Sequence, residues 1–331
     1  MIHTSGLTKD FATGKGQVVH AVRGIDLDIA PGELVAVLGP NGAGKTTTIR
    51  MLTTLIAPTS GTARVAGADI TREPAAVRRR IGYVGQGNGA GHAQRALDEL
   101  VVQGSIYGLD RRDARRRAGE LMAQLDLEAL AARKVQGLSG GQRRRLDVAL
   151  GLVHAPRLLF LDEPSTGLDP HNRANLWEHI LRLRERHEMT VVLTTHYLDE
   201  ADSMAERVVV VDDGRVIADD TAAALKHTLA GDRLVLAAAD PGDVPALAAL
   251  AGRAPGARDL TVDGARVSVR VADAPTALPD VLAAAASRGV RVARAEGHQP
   301  TLDDVFLTLT GRSLREEGAT ARTTDPQEVA A

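Results

Sequence analysis

A glycine-rich loop with a single lysine lies near the N-terminal end of the chain. The loop, Gly39–Thr46, follows the apolar run Leu34–Leu38 and precedes a helical pattern. Glycines let backbone N–H groups curl toward phosphate oxygens, and a helix that starts near Lys45 adds the positive end of its dipole. We expect the Lys45 side chain to bridge the β- and γ-phosphates of a nucleotide and the Thr46 hydroxyl to bind Mg²⁺.

A glycine-rich turn without any ligand is the alternative interpretation of this loop, and the strand–loop–helix order disfavours it. The residues expected to contact the nucleotide here are Gly39, Asn41, Gly42, Gly44, Lys45, Thr46 and Thr47.

Two adjacent carboxylates end a second apolar run. Leu158–Leu161 leads directly into Asp162 and Glu163. Placing charge at the end of a buried strand is costly unless a cation compensates it, so Asp162 suits a Mg²⁺ shell. Glu163, one residue further on, is positioned to take a proton from an attacking water molecule. The alternative, two solvated loop acids, is disfavoured beside a phosphate loop.

A glycine pair opens a third functional segment. Leu138–Gln142 reads Leu-Ser-Gly-Gly-Gln and precedes an amphipathic helix. Ser139 and Gln142 match a capping box, which needs no ligand. The glycines Gly140 and Gly141 also leave the helix N-terminus bare, as an anion site requires. Both interpretations can hold together.

Composition excludes several classes of function. The 331 residues are 44% hydrophobic and 25% charged, which is ordinary for a soluble globular chain. Cysteine is absent, so disulfides, thiol chemistry and cysteine-bound zinc are excluded. A formal net charge of −2 gives no electrostatic basis for binding nucleic acid. We find no signal peptide and no run near the roughly 18 apolar residues of a membrane helix. At a membrane, another chain would have to span the bilayer.

The elements that must position these residues indicate a wound α/β sheet. Residues 2–30 alternate loosely and predict antiparallel strands, and Leu34–Leu38 predicts a buried parallel strand. Three further buried strands are expected at Leu158–Leu161, Val191–Leu193 and Val208–Val211, separated by helical stretches. The pattern from Arg78 to Ala131 is helical and rich in arginine.

The composition changes near Thr221, which predicts a domain boundary. Downstream the pattern predicts strand 233–239, helix 244–251, strands 257–262 and 266–271, helix 278–287 and strand 290–296. This βαββαβ order indicates a small ferredoxin-like α+β module. We therefore expect a domain at 1–220, an accessory domain at 221–311 and a disordered tail at 312–331. The accessory domain has no recognisable catalytic constellation, so it should support dimerisation or regulation.

Together these motifs resemble the ATP-binding cassette (ABC) ATPases, a P-loop NTPase family. The motifs that occur in the family's order are Gly39–Thr46, Gln86, Leu138–Gln142, Leu158–Glu163, Ser165–Asp169 and His196. The resemblance covers about residues 1–220 and implies a wound sheet with antiparallel β and helical subdomains. The segments Tyr197–Asp202 and Pro300–Leu307 resemble the daunorubicin-resistance type of exporter ATPase.

The resemblance implies roles for four more positions. Gln86 is similar to the residue that senses Mg²⁺ and the permease, and His196 to the switch that contacts the γ-phosphate; a lone surface histidine is the alternative for the latter. Phe11 is similar to the aromatic residue that stacks on adenine, although it could pack against a loop instead. Asp169 ends a motif that also belongs to the nucleotide site. Residues 87–95 depart from the pattern of many relatives, so the permease contact is expected to be altered there.

The resemblance also implies partners and a place in the cell. In this family Ser139–Gln142 of one subunit faces the partner's ATP, so we expect a homodimer around two ATP molecules and Mg²⁺. A separate ABC-2 type permease would carry the substrate, a drug or other hydrophobic small molecule, and hold the chain at the cytoplasmic face of the cell membrane. A soluble ABC ATPase of translation or DNA repair is the alternative, but tandem cassettes, zinc cysteines and basic arms are not visible. A P-loop small-molecule kinase would leave Leu138–Gln142 and His196 unexplained.

Overall fold

A computed structural model describes residues 1–13, 17–91 and 93–311. The chain divides into two compact units, the first ending at Asp219 and the second starting at Asp220. The tail expected at 312–331 lies outside the described residues. Within the described part of the chain, no helix has both the length and the apolar character needed to cross a bilayer.

An antiparallel sheet opens the first unit, as residues 2–30 predicted. Its four strands are β1 (Ile2–Thr13), β2 (Gln17–Ile29), β4 (Ser60–Val65) and β5 (Ala68–Asp69), in the order β2-β1-β4-β5. Inward-facing residues of β1 and β2, such as Leu7 and Leu27, pack with Val35 and Phe160 of the neighbouring sheet in one core. Alternation along the strands thus attaches this sheet to the centre of the unit.

The centre of the first unit is a six-stranded sheet in the order β10-β9-β3-β8-β7-β6. Its strands are β3 (Leu34–Leu38), β6 (Ile81–Val84), β7 (Leu158–Asp162), β8 (Thr190–Thr195), β9 (Arg207–Asp212) and β10 (Arg215–Asp220). The pairs β3–β8, β3–β9, β6–β7 and β7–β8 are all parallel. Every residue of β3, β7 and β8 is buried, as continuous apolar runs predict. The carboxyl ends of these three strands meet at one edge of the sheet.

Seven helices complete the described part of the first unit. They are α1 (Lys45–Leu52), α2 (Pro74–Arg80), α3 (Ala96–Ile106), α4 (Arg111–Gln124), α5 (Gly140–Leu152), α6 (Pro170–His187) and α7 (Leu198–Met204). The helical stretch expected from Arg78 to Ala131 is wrong in its first part, where β6 and a loop replace helix. Gly82 of β6 lies so close to α5 that an added Cβ would sit 2.3 Å from the Gly151 carbonyl oxygen.

The second unit has the expected ferredoxin-like order. Its elements are β11 (Asp232–Ala238), α9 (Val244–Ala251), β12 (Arg258–Asp263), β13 (Arg266–Val271), α10 (Ala274–Ser287) and β14 (Val292–His298). The strands form one antiparallel sheet in the order β12-β13-β11-β14. Two helices were not anticipated: α8 (Ala222–Leu225), which continues as a π-helical turn, and α11 (Leu302–Thr310). The α/β cassette and the small α+β module are thereby confirmed.

Candidate functional site

The phosphate loop joins β3 to α1 at the carboxyl edge of the central sheet. Gly44 caps α1 with φ +101°, and a Cβ there would lie 2.5 Å from the Ala21 carbonyl oxygen, so only glycine fits. The Lys45 side chain folds back over the loop. Its Nζ donates to the carbonyl oxygens of Gly39 at 2.7 Å and Pro40 at 2.9 Å. The ammonium group is thus held among the backbone groups that would face a phosphate.

A cavity at this edge of the sheet brings about half of the expected site residues together. Loop residues line it with Gln86 and Glu163; the loop contributes Asn41, Gly42, Ala43, Gly44, Lys45, Thr46 and Thr47. Gln86 Nε2 donates to Thr46 Oγ1 at 3.1 Å. The sequence therefore predicted one connected site from segments more than a hundred residues apart.

Asp162 lies beneath the cavity at the end of β7 and is fully buried. Its Oδ1 accepts hydrogen bonds from Thr46 Oγ1 at 3.0 Å and Thr194 Oγ1 at 2.7 Å. Its Oδ2 is buried and has no hydrogen-bond partner among the described residues. A buried carboxylate oxygen left without a donor, beside a threonine hydroxyl and an amide, is a donor set that fits Mg²⁺.

Glu163 adopts a left-handed conformation that turns its side chain into the cavity. Its φ is +48°, and its N–H donates to the Thr194 carbonyl oxygen at 3.1 Å and to Thr194 Oγ1 at 3.0 Å. Glu163 Oε2 lies 3.3 Å from His196 Nδ1 and accepts from Thr166 Oγ1 at 3.2 Å. Contact with the His196 imidazole lowers the pKa of Glu163, whereas burial opposes that shift. The carboxylate is therefore ionised and able to accept a proton.

The remaining expected residues do not line this cavity. Ser139 and Gln142 form the capping box of α5: Gln142 N–H donates to Ser139 Oγ at 3.3 Å and Ser139 N–H to Gln142 Oε1 at 3.0 Å. Asp169 is the N-cap of α6 and accepts from Asn172 N–H at 2.9 Å, without the reciprocal bond of a capping box. The exposed ring of Phe11 lies on β1 under the Lys9 ammonium group, 5.1 Å from its centroid.

The two capped helices meet at Gly141. A Cβ added to Gly141 would lie 2.4 Å from Asn172 Oδ1, in the first turn of α6. By contrast, a Cβ on Gly140 would meet no atom within 4 Å. Gly140 thus faces open space within this chain, whereas Gly141 is required by the packing of α5 against α6.

Sequence analysis did not identify Arg144, a residue of α5 that hydrogen-bonds to the backbone of two loops at the site. This arginine is buried, and its guanidinium donates to the carbonyl oxygens of Pro164 at 2.6 Å and Gly85 at 2.8 Å. Weaker contacts of 3.4 and 3.5 Å reach the carbonyl oxygens of Glu163 and Asp162. Burial lowers the pKa of Arg144, an effect opposed by Asp147 and Asp162. One side chain thus contacts the backbone of the carboxylate pair, of Pro164 directly after it, and of Gly85 just before Gln86.

Asp147, one turn further along α5, fixes the loop after Gln86. Its Oδ1 accepts from the N–H groups of Gly89 at 2.9 Å and Ala90 at 3.2 Å. Burial raises the pKa of Asp147, and these hydrogen bonds oppose the rise. Two charged residues three positions apart on the apolar face of α5 were the signal that sequence analysis could have used.

Replacing Arg144 by methionine is expected to lower ATP turnover about ten- to hundredfold, because small displacements of catalytic groups cost that much. Buried carbonyl oxygens left without a donor should also lower the free energy of unfolding by about 1–3 kcal/mol. Turnover per folded molecule and urea unfolding measure the two effects. Arg115→Met, on the exposed face of α4, is the matched control. Unchanged turnover in Arg144→Met would show that the geometry of the site does not depend on the hydrogen bonds of Arg144.

Comparisons with known proteins agree with this geometry. Residues 22–166 match the ABC transporter family, and residues 221–310 match the C-terminal domain of DrrA1-3-like ATP-binding proteins. The daunorubicin resistance ATP-binding protein DrrA2 of Streptomyces coeruleorubidus is 44% identical, with 88% of this chain and 90% of the relative covered. The daunorubicin/doxorubicin resistance ATP-binding protein DrrA of Streptomyces peucetius is 41% identical, with 99% and 98% covered.

A solved structure is similar to the first unit. It is the dimeric post-hydrolysis state of the ATP-binding cassette MJ0796 bound to ADP and phosphate, with a TM-score of 0.62 and 27% identity. The similarity covers 67% of this chain and 98% of that one.

Proposed function

The chain belongs to the ABC transporter family, and from that membership we propose that it is the ATP-hydrolysing subunit of a drug exporter, acting as a homodimer on a separate membrane permease. The observation that carries the proposal is the cavity in which Lys45, Thr46, Gln86 and Glu163 converge beside Asp162. ATP is the substrate that this family hydrolyses, and the residue types fit each part of it.

The reaction follows from the roles that these side chains can take. Lys45 and the loop N–H groups bind the phosphates, and Glu163 accepts a proton from the attacking water molecule while His196 holds the γ-phosphate. Thr46, Gln86 and Asp162 would hold Mg²⁺, which when bound neutralises charge on the β- and γ-phosphates. Phe11 would stack on the adenine ring.

The dimer is proposed because half of the expected nucleotide contacts lie outside the cavity. Ser139–Gln142 does not line the cavity at Lys45, yet Gly140 faces open space. In a two-fold symmetric pair, this segment would cover the ATP bound by the partner subunit, and Asp169 would lie at the same interface. The dimeric state described for MJ0796 supports this arrangement.

The permease contact is proposed at a groove beside Gln86. The groove runs between Leu55, Tyr83 and the helix α3 and includes Gly85 and Gly87 on either side of Gln86. Leu55 is half exposed at its rim, and Tyr107 stacks on His154 at a centroid distance of 3.7 Å at its far end. A permease of the ABC-2 type seated there would reach the γ-phosphate side of the site through Gln86, which places the chain at the cytoplasmic face of the membrane.

The cargo is proposed to be a drug or another hydrophobic small molecule. The relatives are named for resistance to daunorubicin, doxorubicin and, in Bacillus subtilis, linearmycin, the last at 33% identity over 89% of this chain. The alternative of a soluble ATPase in translation or DNA repair has no support among them. The second unit is proposed to support dimerisation or regulation, with its boundary near residue 220.

Inverted vesicles that contain the chain and its proposed permease should take up a fluorescent anthracycline when ATP is added. Leu55→Glu should reduce uptake at least about tenfold, because a desolvated charge at an interface costs more than the corresponding 1.4 kcal/mol. The ATPase rate of the isolated chain should not change. Leu260→Glu, an exposed leucine of the second unit, is the control. ATP-independent uptake would contradict the exporter proposal, and full uptake by Leu55→Glu would contradict the groove.

A further inference from the structure

One face of the sheet in the second unit is not covered by its helices. Leu234, Leu236, Val267 and Val269 point toward α9 and α10 and form a hydrophobic core with them. Strand residues alternate between faces, so the intervening positions of β11 and β13 lie on the opposite face. That open face carries more arginines than acidic residues: Arg233, Arg258, Arg266, Arg270 and Arg294 share it with Asp263 and Glu296.

The strand register concentrates positive charge in one row across the sheet. Arg233 of β11 lies directly opposite Arg270 of β13 on one side and His298 of β14 on the other. Arg258 of β12 pairs with Arg270 and extends the row. Like charges directly opposite one another destabilise an antiparallel sheet. This row therefore carries an unfavourable interaction that a bound anion would relieve.

The two central arginines differ in how they are held. Arg270 Nη1 donates to the Ala230 carbonyl oxygen at 2.5 Å, and its Nε lies 3.5 Å from Asp259 Oδ2. Arg270 is thus fixed by its own unit. For Arg233, no hydrogen bond or ion pair occurs within residues 1–13, 17–91 and 93–311. The Arg270 guanidinium is therefore held in place, and the Arg233 guanidinium beside it has N–H donors available to a ligand.

A cavity lies over this row. Its lining includes Arg233, Arg270, His298, Thr301 and Asp304. The Asp304 carboxylate accepts hydrogen bonds from the N–H and the hydroxyl of Thr301, both at 2.8 Å, as part of the capping box of α11. Asp259 is already paired with Arg270, so Asp259 and Asp304 together offset two of the three arginines in the row and leave one in excess.

A second cavity continues from the first along the same face. The two share Val235 and His298, and the second also reaches Ala237. Small apolar side chains thus form the floor between them. At the far end Arg294 is paired with Glu296 at 2.6 Å, and Arg266, which lies opposite Asp263, also lines the second cavity.

We propose that the first cavity binds the phosphate group of a small molecule through Arg233 and Arg270, with the rest of the molecule lying over Val235 and Ala237. Two guanidinium groups offer the paired N–H donors that match phosphate oxygens. A phosphate group balances the positive charge that remains in the row, whereas His298 is already paired with Glu296 at 3.2 Å. This site is separate from the ATP site and does not depend on the proposed function.

The test is calorimetric titration of the full chain with inorganic phosphate, using Lys45→Ala in every sample so that the phosphate loop contributes little. Replacing Arg233 by glutamine should weaken phosphate binding roughly ten- to hundredfold, the effect of losing a charge-assisted pair. Arg288→Gln, which removes an exposed arginine at the end of α10, should leave phosphate binding unchanged. In a chain with Lys45 intact, Arg233→Gln should hydrolyse ATP at the native rate.

Two further measurements make the result decisive. Without phosphate, Arg233→Gln should have an unfolding midpoint at least as high as the parent, because it removes a repulsion; a lower midpoint would mean that Arg233 is structural and would overturn the proposal. Vesicles of phosphatidylglycerol and phosphatidylcholine are the second probe. Phosphate binding without vesicle binding identifies a soluble ligand, and vesicle binding lost in Arg233→Gln identifies a lipid headgroup. No binding of either probe, or binding that is equal in Arg233→Gln, would overturn the proposal.

Discussion

Replacing Lys45 by alanine is expected to abolish ATP hydrolysis and to weaken ATP binding about ten- to hundredfold. The ammonium group is the only side-chain cation among the described residues that line the cavity, and a hydrogen bond to a charged group contributes roughly 1.5–3 kcal/mol. Turnover should fall further than binding, because the lysine stabilises charge that develops on the transferred phosphoryl group. Titration with a fluorescent ATP analogue and a phosphate-release assay measure the two losses.

The fold should tolerate this change. Lys45 Nζ donates to carbonyl oxygens of its own loop, and water can reach a loop that faces the cavity. Lys134→Ala, at an exposed position before α5, serves as the control and should bind and hydrolyse ATP normally. Equal ATP affinity in Lys45→Ala and the native chain would refute the assignment of the phosphate loop.

Glu163→Gln is expected to lower hydrolysis by about 10²–10⁴-fold, the usual contribution of a general base. Glutamine keeps the size of the side chain and can still contact Thr166 and His196, but it cannot take a proton from water. ATP binding should survive, because Lys45 and Thr46 are untouched. Steady-state phosphate release gives the rate, and equilibrium binding of ATP gives the affinity.

The same variant should accumulate as an ATP-bound dimer. Removing the carboxylate also removes its repulsion with the γ-phosphate, which favours the closed state. Size-exclusion chromatography should show a larger species with ATP that ADP does not produce. Glu188→Gln is a close control: Glu188 is exposed, ends α6 and shares the left-handed φ of +48°. A Glu163→Gln chain that stays monomeric in saturating ATP would count against the sandwich dimer, and native turnover would count against the base.

The parts of the fold that depend on local pattern could be predicted from the sequence. Leu34–Leu38 and Val208–Val211 are apolar runs with β-branched residues, and they form buried parallel strands. The βαββαβ order of the second unit followed from alternation and from its Pro-Gly turns. Ile81–Val84 could not be separated from the arginine-rich helices around it, because four residues are too few to establish a period. What makes it a strand is pairing with β7, which is a long-range interaction.

The site could be predicted where function constrains residue type at fixed spacing. Lys45, Asp162 and Glu163 were predicted because phosphate and metal chemistry would need these residue types in a strand–loop context. Arg144 and Asp147 act on backbone groups of distant loops. Sequence separation hides such contacts: Arg144 and Gly85 are 59 positions apart, and only the fold brings them together.

The tight fit at Gly141 affects how inactivating mutations in its segment should be interpreted. A side chain at this position collides with Asn172 within one subunit, so inactivity there reports damaged packing as readily as a lost nucleotide contact. Gly140 gives cleaner genetic information, because an added methyl group meets no atom of its own subunit within 4 Å. In a mutational scan, inactive variants at Gly141 and at Gly140 would therefore have different causes. Inactivity at Gly141 would reflect damaged packing within the subunit, whereas inactivity at Gly140 would indicate a contact with whatever molecule covers that surface.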